Sequence, residues 1–140
     1  INRPYILDLR PGNSFVRHLL ERGYDVFLID WGRPGWEDRG VTLDELIGEH
    51  LPKAVERMTR TGAGDGYTLF GYCMGGRLAY LAAATTDVDA AVAFYGGGIH
   101  LQLERAAAIR CPVQFHYAGR DDHIPPAAVE SVRKAMAGKA

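Results

Sequence analysis

The feature that most constrains this chain is a glycine–x–cysteine–x–glycine run, residues 71–75, placed between two different hydrophobic patterns. Residues 67–70 before it form a short apolar run typical of a buried strand, and a helical pattern follows over about 76–84. A strand and a helix can pack closely at a sharp turn only if small residues flank the bend, and Gly71 and Gly75 meet that need while Gly76 adds room. The sequence therefore predicts that Cys73 projects from a tight strand-to-helix turn.

Such a turn suits Cys73 to covalent acyl chemistry. The N-terminus of the helix carries partial positive charge that favours a thiolate, and the backbone N–H of Met74 can face a developing oxyanion. The competing interpretation is a buried structural cysteine at a tight turn. Cys111, in Arg110-Cys111-Pro112 at the start of a later strand, is expected to be structural.

Strand and helix patterns alternate along the rest of the chain, which predicts a parallel α/β fold. The predicted strands are residues 24–29, 67–70, 89–94 and 113–117. The predicted helices are residues 14–22, 43–58, 76–84, 101–109 and 127–136. Ser14 is expected to cap the first helix, Thr42 and Glu45 form a capping box for the second, and Pro52 interrupts that second helix.

Composition narrows the possible functions. The 140 residues suit one domain, 1–140, and 47% hydrophobic residues can build a core. With 16 Lys and Arg against 17 Asp and Glu and no basic stripe, no nucleic-acid partner is expected. No apolar run is long enough for a membrane helix and no signal peptide opens the chain, so a cytoplasmic protein is expected. No metal-ligand spacing occurs, and neither a metal nor a cofactor is expected.

A candidate acid lies in the loop that follows the fourth predicted strand. Asp121 stands four residues before Pro125, and Asp122 stands four before Pro126. A carboxylate here would lie at the carboxyl edge of the sheet, as Cys73 does, and it would orient a histidine and stabilise its imidazolium. Its alternative is a solvated acid in a turn.

A matching base is harder to find among the five histidines. His18 and His50 fall on predicted helices and are expected to be solvated, and His116 falls within a strand and is expected to be packed. His100 and His123 fall on loops at the correct edge, but His123 is too close in sequence to Asp121 for the usual geometry. The histidine of a triad is expected after one more strand, where this sequence offers none.

From about Gly71 onward, three stretches resemble dienelactone hydrolases. They are Gly-Tyr-Cys-Met-Gly-Gly-Arg-Leu-Ala-Tyr at 71–80, Val-Asp-Ala-Ala-Val-Ala-Phe-Tyr-Gly-Gly-Gly-Ile at 88–99, and Cys-Pro-Val-Gln-Phe-His-Tyr-Ala-Gly-Arg-Asp-Asp-His-Ile-Pro at 111–125. The resemblance implies an α/β-hydrolase fold and a Cys-Asp-His triad. The family's Asp-x-x-Ile/Val-Pro pattern falls on Asp121, which favours that carboxylate.

Residues about 1–75 instead resemble polyhydroxyalkanoate synthases, through stretches at 1–9, 26–35 and 42–47. Those enzymes share the fold and polymerise hydroxyacyl-CoA thioesters, and their Asp-His-Ile-x-Pro pattern falls on Asp122. The two resemblances meet near the cysteine turn.

Together the resemblances imply a partial α/β-hydrolase fold, with a mainly parallel sheet and flanking helices, that lacks the first strands and the last strand with the histidine loop. The first two predicted strands are expected either to pair or to leave a gap. Exposed sheet edges are expected to promote self-association. Three functions remain open: hydrolysis of a small ester or lactone, acyl transfer from an acyl-CoA, and an inactive binding module.

Overall fold

The computed structural model describes residues 4–33, 35–62, 64 and 66–139. The regular elements in chain order are β1 (Asp8–Arg10), β2 (Asn13–Ser14), α1 (Phe15–Leu20), α2 (Leu43–Glu45), α3 (Leu51–Arg60), β3 (Thr68–Tyr72), α4 (Met74–Thr85), β4 (Ala90–Phe94), β5 (Val113–His116) and α5 (Pro126–Ala135). Four short 3-10 helices lie at Pro4–Leu7, Glu37–Gly40, Ile99–Leu101 and Leu103–Ala108, and a π-helical turn lies at Leu46–His50.

The centre of the fold is a parallel sheet of three strands in the order β3-β4-β5. The last residues of the three strands are in register, with Tyr72 opposite Phe94 and Phe94 opposite His116. The carboxyl ends of all three strands therefore meet at one edge. The mixed α/β fold class, with a parallel sheet and flanking helices, is confirmed.

Helix α4 covers one face of this sheet. Its residues 78–83 are consecutively buried, which is the pattern of a helix surrounded by apolar groups rather than of a surface helix. Tyr80 is fully buried, and its hydroxyl donates a hydrogen bond to the Gln102 carbonyl oxygen at 3.0 Å. Among the described residues, neither α4 nor any other helix combines the length and apolar character that a bilayer span needs.

The opposite face of the sheet is largely open. Phe70 on β3 is 45% exposed, and its ring meets the ring of Phe15 on α1 edge-on, with centroids 5.7 Å apart. Ser14 caps α1 as predicted, because its hydroxyl accepts a hydrogen bond from the Arg17 N–H at 2.9 Å.

The helical stretch that begins after Thr42 has the predicted start and the predicted interruption. Thr42 and Glu45 form a reciprocal capping box. Before Pro52 the helix widens into the π-helical turn, in which the Leu51 N–H donates to the Leu46 carbonyl. A proline lacks an N–H and its ring crowds the carbonyl four residues earlier, which accounts for an irregular turn at this point.

Two predicted elements are wrong. Residues 24–29 form no strand, and Tyr24 is 61% exposed. Among the described residues, β3 pairs with β4 on one side only, and residues 24–29 do not occupy its other edge, so their backbone lacks the interstrand hydrogen bonds that define a strand. The predicted helix at 101–109 is instead two 3-10 segments, because Gln102 between them has φ −136° and ψ 29°, outside the helical region. The short β1–β2 hairpin was not predicted.

The contact between β3 and α4 depends on two glycines. A Cβ on Gly71 would overlap the carbonyl oxygen of Gly75, and a Cβ on Gly76 would lie 2.6 Å from the Phe94 carbonyl oxygen. A Cβ on Gly75 would meet nothing within 4 Å outside its own helix. The close approach predicted for this turn is confirmed at Gly71, but Gly76 rather than Gly75 is its second member.

We expect Gly71→Ala to lower the free energy of unfolding by about 3 kcal/mol, because the new methyl group would force β3 and α4 apart. The matched variant Gly75→Ala should change it by no more than about 1 kcal/mol, in the stabilising direction, since alanine favours a helix. Urea unfolding followed by circular dichroism measures both. Equal stabilities of the two variants would contradict this account of the turn.

Candidate active site

Cys73 occupies the turn between β3 and α4, with φ 57° and ψ −120°. Residues other than glycine rarely adopt positive φ, and they keep it only where the surroundings impose it. Here the Cys73 N–H donates to the Phe94 carbonyl at 3.0 Å, and the Cys73 carbonyl accepts from the Gly76 and Arg77 N–H groups at 2.9 and 3.2 Å. The thiol is free and exposed. The turn therefore lifts the side chain of Cys73 away from the sheet into solvent.

The backbone around Cys73 offers unpaired donors. Cys73 is the N-cap of α4, a helix of 12 residues, and the first N–H groups of a helix have no acceptor within the helix. The N–H of Met74, the first residue of α4, is one of these groups. Its position is compatible with an oxyanion held beside the thiol, and that role for Met74 stays a prediction.

A second strained residue lies at the same edge. Tyr95, directly after β4, has φ 39°, and its N–H donates to the His116 carbonyl at 2.7 Å. Cys73 and Tyr95 are the two positive-φ residues other than glycine among those described. Strain that collects at one edge of a sheet is typical of a functional site.

Asp121 lies in the loop after β5 and is held by its own backbone. Its Oδ1 accepts hydrogen bonds from the N–H groups of His123 at 2.7 Å and Ile124 at 3.1 Å, and its side chain is 19% exposed. Asp122 is exposed. β4 lies between β3 and β5, so the carboxyl ends of these two strands are about 10 Å apart along the edge that carries both Cys73 and the acid loop.

The histidines are placed differently from one another. The side chain of His123 is 96% exposed, with Nδ1 3.9 Å from Asp121 Oδ1, and His100 is half-buried in the Ile99–Leu101 turn. His18 and His50 are exposed, as predicted. His116 ends β5 rather than lying within it, and its residue is exposed although its ring stacks on Phe94. In the described part of the chain, no histidine is hydrogen-bonded to Cys73.

A row of three stacked rings crosses the sheet beside the site and was not predicted. The ring centroids of Tyr72 and Phe94 are 4.8 Å apart, and those of Phe94 and His116 are 4.3 Å apart, with the planes within 12° of parallel in both pairs. The available signal was an aromatic or imidazole ring near the carboxyl end of each of three successive predicted strands. The row gives the carboxyl edge a rigid rim on the open face of the sheet.

Two cavities flank the sheet. One of about 510 Å³ lies between β5 and α5 and is lined by Asp121 together with Tyr117, Ile124 and Val129. Burial raises the pKa of Tyr117 to about 12, so its phenol stays protonated at neutral pH and can donate a hydrogen bond. The larger cavity, about 620 Å³, lies at the opposite edge near Cys111, away from Cys73. The smaller cavity therefore borders the candidate acid Asp121, and Cys73 lines neither of the two cavities.

The two cysteines differ in environment. Cys111 is half-buried, and desolvation raises the pKa of its thiol, which lowers its reactivity at neutral pH. Cys73 is exposed. Within the described residues, no three His, Cys, Asp or Glu side chains are grouped as a metal site would require.

Comparison with known proteins supports both resemblances seen in the sequence. Poly(3-hydroxyalkanoate) polymerase subunit PhaC of Haloferax mediterranei is 46% identical over 84 residues, which is 60% of this chain and 17% of that protein. Carboxymethylenebutenolidase of Pseudomonas putida is 46% identical over 57 residues, which is 41% of this chain and 24% of that protein. The matched stretches thus span less than a quarter of these relatives.

A crystal structure from Klebsiella pneumoniae, assigned as a dienelactone hydrolase, superposes with a TM-score of 0.58 at 25% identity and covers 73% of this chain and 52% of that one. The sequence model of the dienelactone hydrolase family matches residues 38–140, which include β3, the cysteine turn and the acid loop. On this match, the chain belongs to the dienelactone hydrolase family.

Proposed function

We propose that Cys73 is the nucleophile of an acyl-transfer reaction and that the favoured reaction is hydrolysis of a small ester or lactone. The observation that carries this proposal is the backbone of Cys73, a positive-φ turn between β3 and α4 with the thiol exposed. A structural cysteine gains nothing from that conformation, which carries a strain of about 1–3 kcal/mol. A nucleophile gains access to substrate and a position at a helix N-terminus.

In this reaction the sulfur of Cys73 attacks the carbonyl carbon of the substrate and forms a tetrahedral intermediate. The Met74 N–H donates a hydrogen bond to its oxyanion. The intermediate collapses to a thioester as the carbon–oxygen bond breaks, and the leaving oxygen takes the proton that the thiol of Cys73 gave up, relayed by water. A water molecule then attacks the thioester carbonyl, the carbon–sulfur bond breaks to release the carboxylic acid, and one proton of that water returns to the sulfur of Cys73.

Asp121 is the proposed orienting acid. Its recorded hydrogen bonds, from the backbone N–H groups of His123 and Ile124, engage Oδ1. Oδ2 is then suited to accept the N–H of an imidazole placed between the acid loop and Cys73, as a triad requires. The backbone hydrogen bonds fix the carboxylate before any histidine arrives, and they favour Asp121 over the exposed Asp122 for this role.

The second candidate is acyl transfer from a hydroxyacyl-CoA to a growing polyester. The 46% identity to the Haloferax mediterranei polymerase subunit over 84 residues supports it. The first half of the chemistry is the same, because Cys73 again forms a thioester. The difference is the acceptor, which is a hydroxyl group instead of water.

A third candidate, from another class, is an inactive module that binds a ligand or partner. It is motivated by the histidines, none of which is hydrogen-bonded to Cys73 among the described residues. In that case Cys73 would be reactive toward alkylating agents but would not turn over substrate.

A substrate panel tests the three candidates. We expect lactone hydrolysis in the parent chain, its loss in Cys73→Ala because the nucleophile has no substitute, and its retention in the matched variant Cys111→Ala. CoA release from hydroxybutyryl-CoA without lactone hydrolysis would favour the synthase chemistry. Turnover that survives in Cys73→Ala would eliminate the covalent mechanism, and no turnover in the parent would favour the binding module.

In a chain that turns over substrate, Asp121→Asn should lower kcat by about 10²-fold or more, because the amide oxygen keeps the backbone hydrogen bonds but the charge that stabilises an imidazolium is lost. Asp122→Asn should leave kcat close to the parent value. Steady-state kinetics on the two variants decides between the carboxylates. A larger loss of kcat in Asp122→Asn than in Asp121→Asn would favour Asp122, the residue on which the acid pattern of the polyhydroxyalkanoate synthases falls.

We also propose that the 140-residue chain self-associates through its sheet edges. In the described residues each outer strand, β3 or β5, has one pairing neighbour, and exposed strand edges act as templates for other chains. Exposed Tyr24, Phe27 and Leu28 add apolar surface. Sedimentation velocity should show dimers or larger species whose share rises with concentration, and a monodisperse, cooperatively melting monomer would refute this.

A further inference from the structure

The cavity of about 510 Å³ between β5 and α5 takes part in the proposed reaction only through Asp121. Its volume lies within the range of small-molecule sites, which is roughly 300–1,000 Å³. One wall is formed by the end of β5 and the loop that follows it, and the other wall is formed by α5. The side chains of Phe115, Ile124 and Val129 make much of the lining apolar. The cavity therefore suits a ligand with an apolar body.

Two aromatic rings contribute to the β5 wall of this cavity. The rings of Phe115 and Tyr117 are within 4° of parallel, and their centroids are 6.3 Å apart. The face of an aromatic ring carries partial negative charge and attracts a cation that lies over it. Because burial raises the pKa of Tyr117 to about 12, its phenol is neutral at neutral pH, and the attraction comes from the ring alone. This wall favours flat apolar groups and cations.

Asp121 supplies a carboxylate whose charge no other described lining residue balances. The other two charged lining residues, Glu130 and Arg133, pair with each other at 3.8 Å. The side chain of Asp121 is 19% exposed, and the two backbone N–H groups that hold it donate to Oδ1. His123 Nδ1 lies 3.9 Å from that same oxygen, but His123 is 96% exposed and does not line the cavity. Since both oxygens of a carboxylate accept hydrogen bonds, Oδ2 is suited to a donor on a ligand.

The N-terminus of α5 does not make the cavity an anion site. Helix N-termini attract anions largely through free backbone N–H groups. Here α5 follows Pro125 and begins at Pro126, which lines the cavity, and a proline has no N–H to donate. The N–H groups of Ala128 and Val129 donate to the Pro125 carbonyl. This helix end therefore offers fewer donors to an anion than a usual N-terminus does, and the charge of Asp121 dominates.

We propose that the cavity between β5 and α5 binds a small organic ammonium ion, with its apolar body against Phe115 and Tyr117 and its charged nitrogen paired with Asp121. The carboxylate supplies charge and an acceptor for the N–H groups, and the rings and apolar side chains remove the carbon atoms of the ligand from water. Binding requires no turnover and goes beyond the proposed reaction. Only its consequence for catalysis rests on the proposed role of Asp121, because a bound cation would occupy that carboxylate and inhibit the reaction.

Two ligands, 2-phenylethylammonium and 2-phenylethanol, test the requirement for charge. They share a ring and a two-carbon chain and differ in the head group. Isothermal titration calorimetry on the 140-residue chain, at neutral pH and low ionic strength, should show binding of the ammonium ion that is about 10-fold or more tighter than binding of the alcohol. Equal affinities for the two ligands, or no binding of either, would overturn the proposal.

Three variants that change the net charge equally locate the cation. Asp121→Asn should lower the affinity for the ammonium ion about 10-fold or more and leave that for the alcohol unchanged, because the amide oxygen keeps the backbone hydrogen bonds but the charge is lost. Asp122→Asn, in the same loop, and Asp87→Asn, in the larger cavity near Cys111, should bind the ammonium ion as the parent chain does. Equal losses in all three variants, or a loss in Asp87→Asn alone, would overturn the proposal.

A pair of variants at Tyr117 keeps the proposal testable if Asp121→Asn fails to fold. Tyr117→Phe retains the ring and should retain the affinity for the ammonium ion, whereas Tyr117→Leu should lower it about 3-fold or more. Equal affinities in these two variants would rule out the aromatic wall and overturn the proposal. Ammonium binding by a chain that hydrolyses no ester would count against the proposed function and not against this site, and hydrolysis without ammonium binding would do the reverse.

Discussion

The arrangement at the carboxyl edge depends on how closely β3 and α4 approach at Gly71. Without a Cβ there, the first turn of α4 rests directly on the end of the strand, and Gly76 lets the same turn meet the end of β4. The hydrogen bond from the Cys73 N–H to the Phe94 carbonyl then ties the turn to the neighbouring strand. Sheet, helix and turn are therefore positioned by backbone contacts, which tolerate little variation because backbone atoms cannot change rotamer.

The two halves of the candidate site are built by different means. Cys73 is placed by the long-range packing of β3, β4 and α4, whereas Asp121 is placed by hydrogen bonds within its own loop. The first placement requires the folded sheet, and the second is local to a few residues after β5. The stacked row of Tyr72, Phe94 and His116 crosses the three strands between these halves and stiffens the edge that they share.

The sequence predicted the elements whose signals are local. The strand before Cys73, the helix after it, β4, β5, α5 and the capping box of Thr42 and Glu45 follow from periodicity and from side chains near in sequence. Residues 24–29 have the composition of a strand, but pairing depends on a neighbour that composition does not encode. The break at Gln102 is a backbone torsion with no marker in the sequence.

In the candidate site, too, features with a local sequence signal were predicted, and features that depend on contacts between distant residues were not. The spacing of glycines located the turn, yet which glycine faces the strands depends on the rotation of α4. The close contact expected at Gly75 is made at Gly76, from which only added room was expected. The carboxylate of Asp121 accepts hydrogen bonds from the backbone N–H groups two and three residues later in the chain. Aspartate favours this kind of local turn, so such a turn can be predicted from the sequence.

Under the proposed role of Cys73 as a nucleophile, its positive φ brings the requirements of folding and of catalysis into conflict at one position. Glycine adopts this conformation without steric penalty, so folding alone would favour glycine at residue 73. The proposed role of the thiol as a nucleophile is the requirement that opposes that replacement. In related chains that no longer catalyse the reaction, glycine should replace cysteine at this position before the residues of the surrounding core change. The residue found at this position would then distinguish active enzymes from inactive relatives.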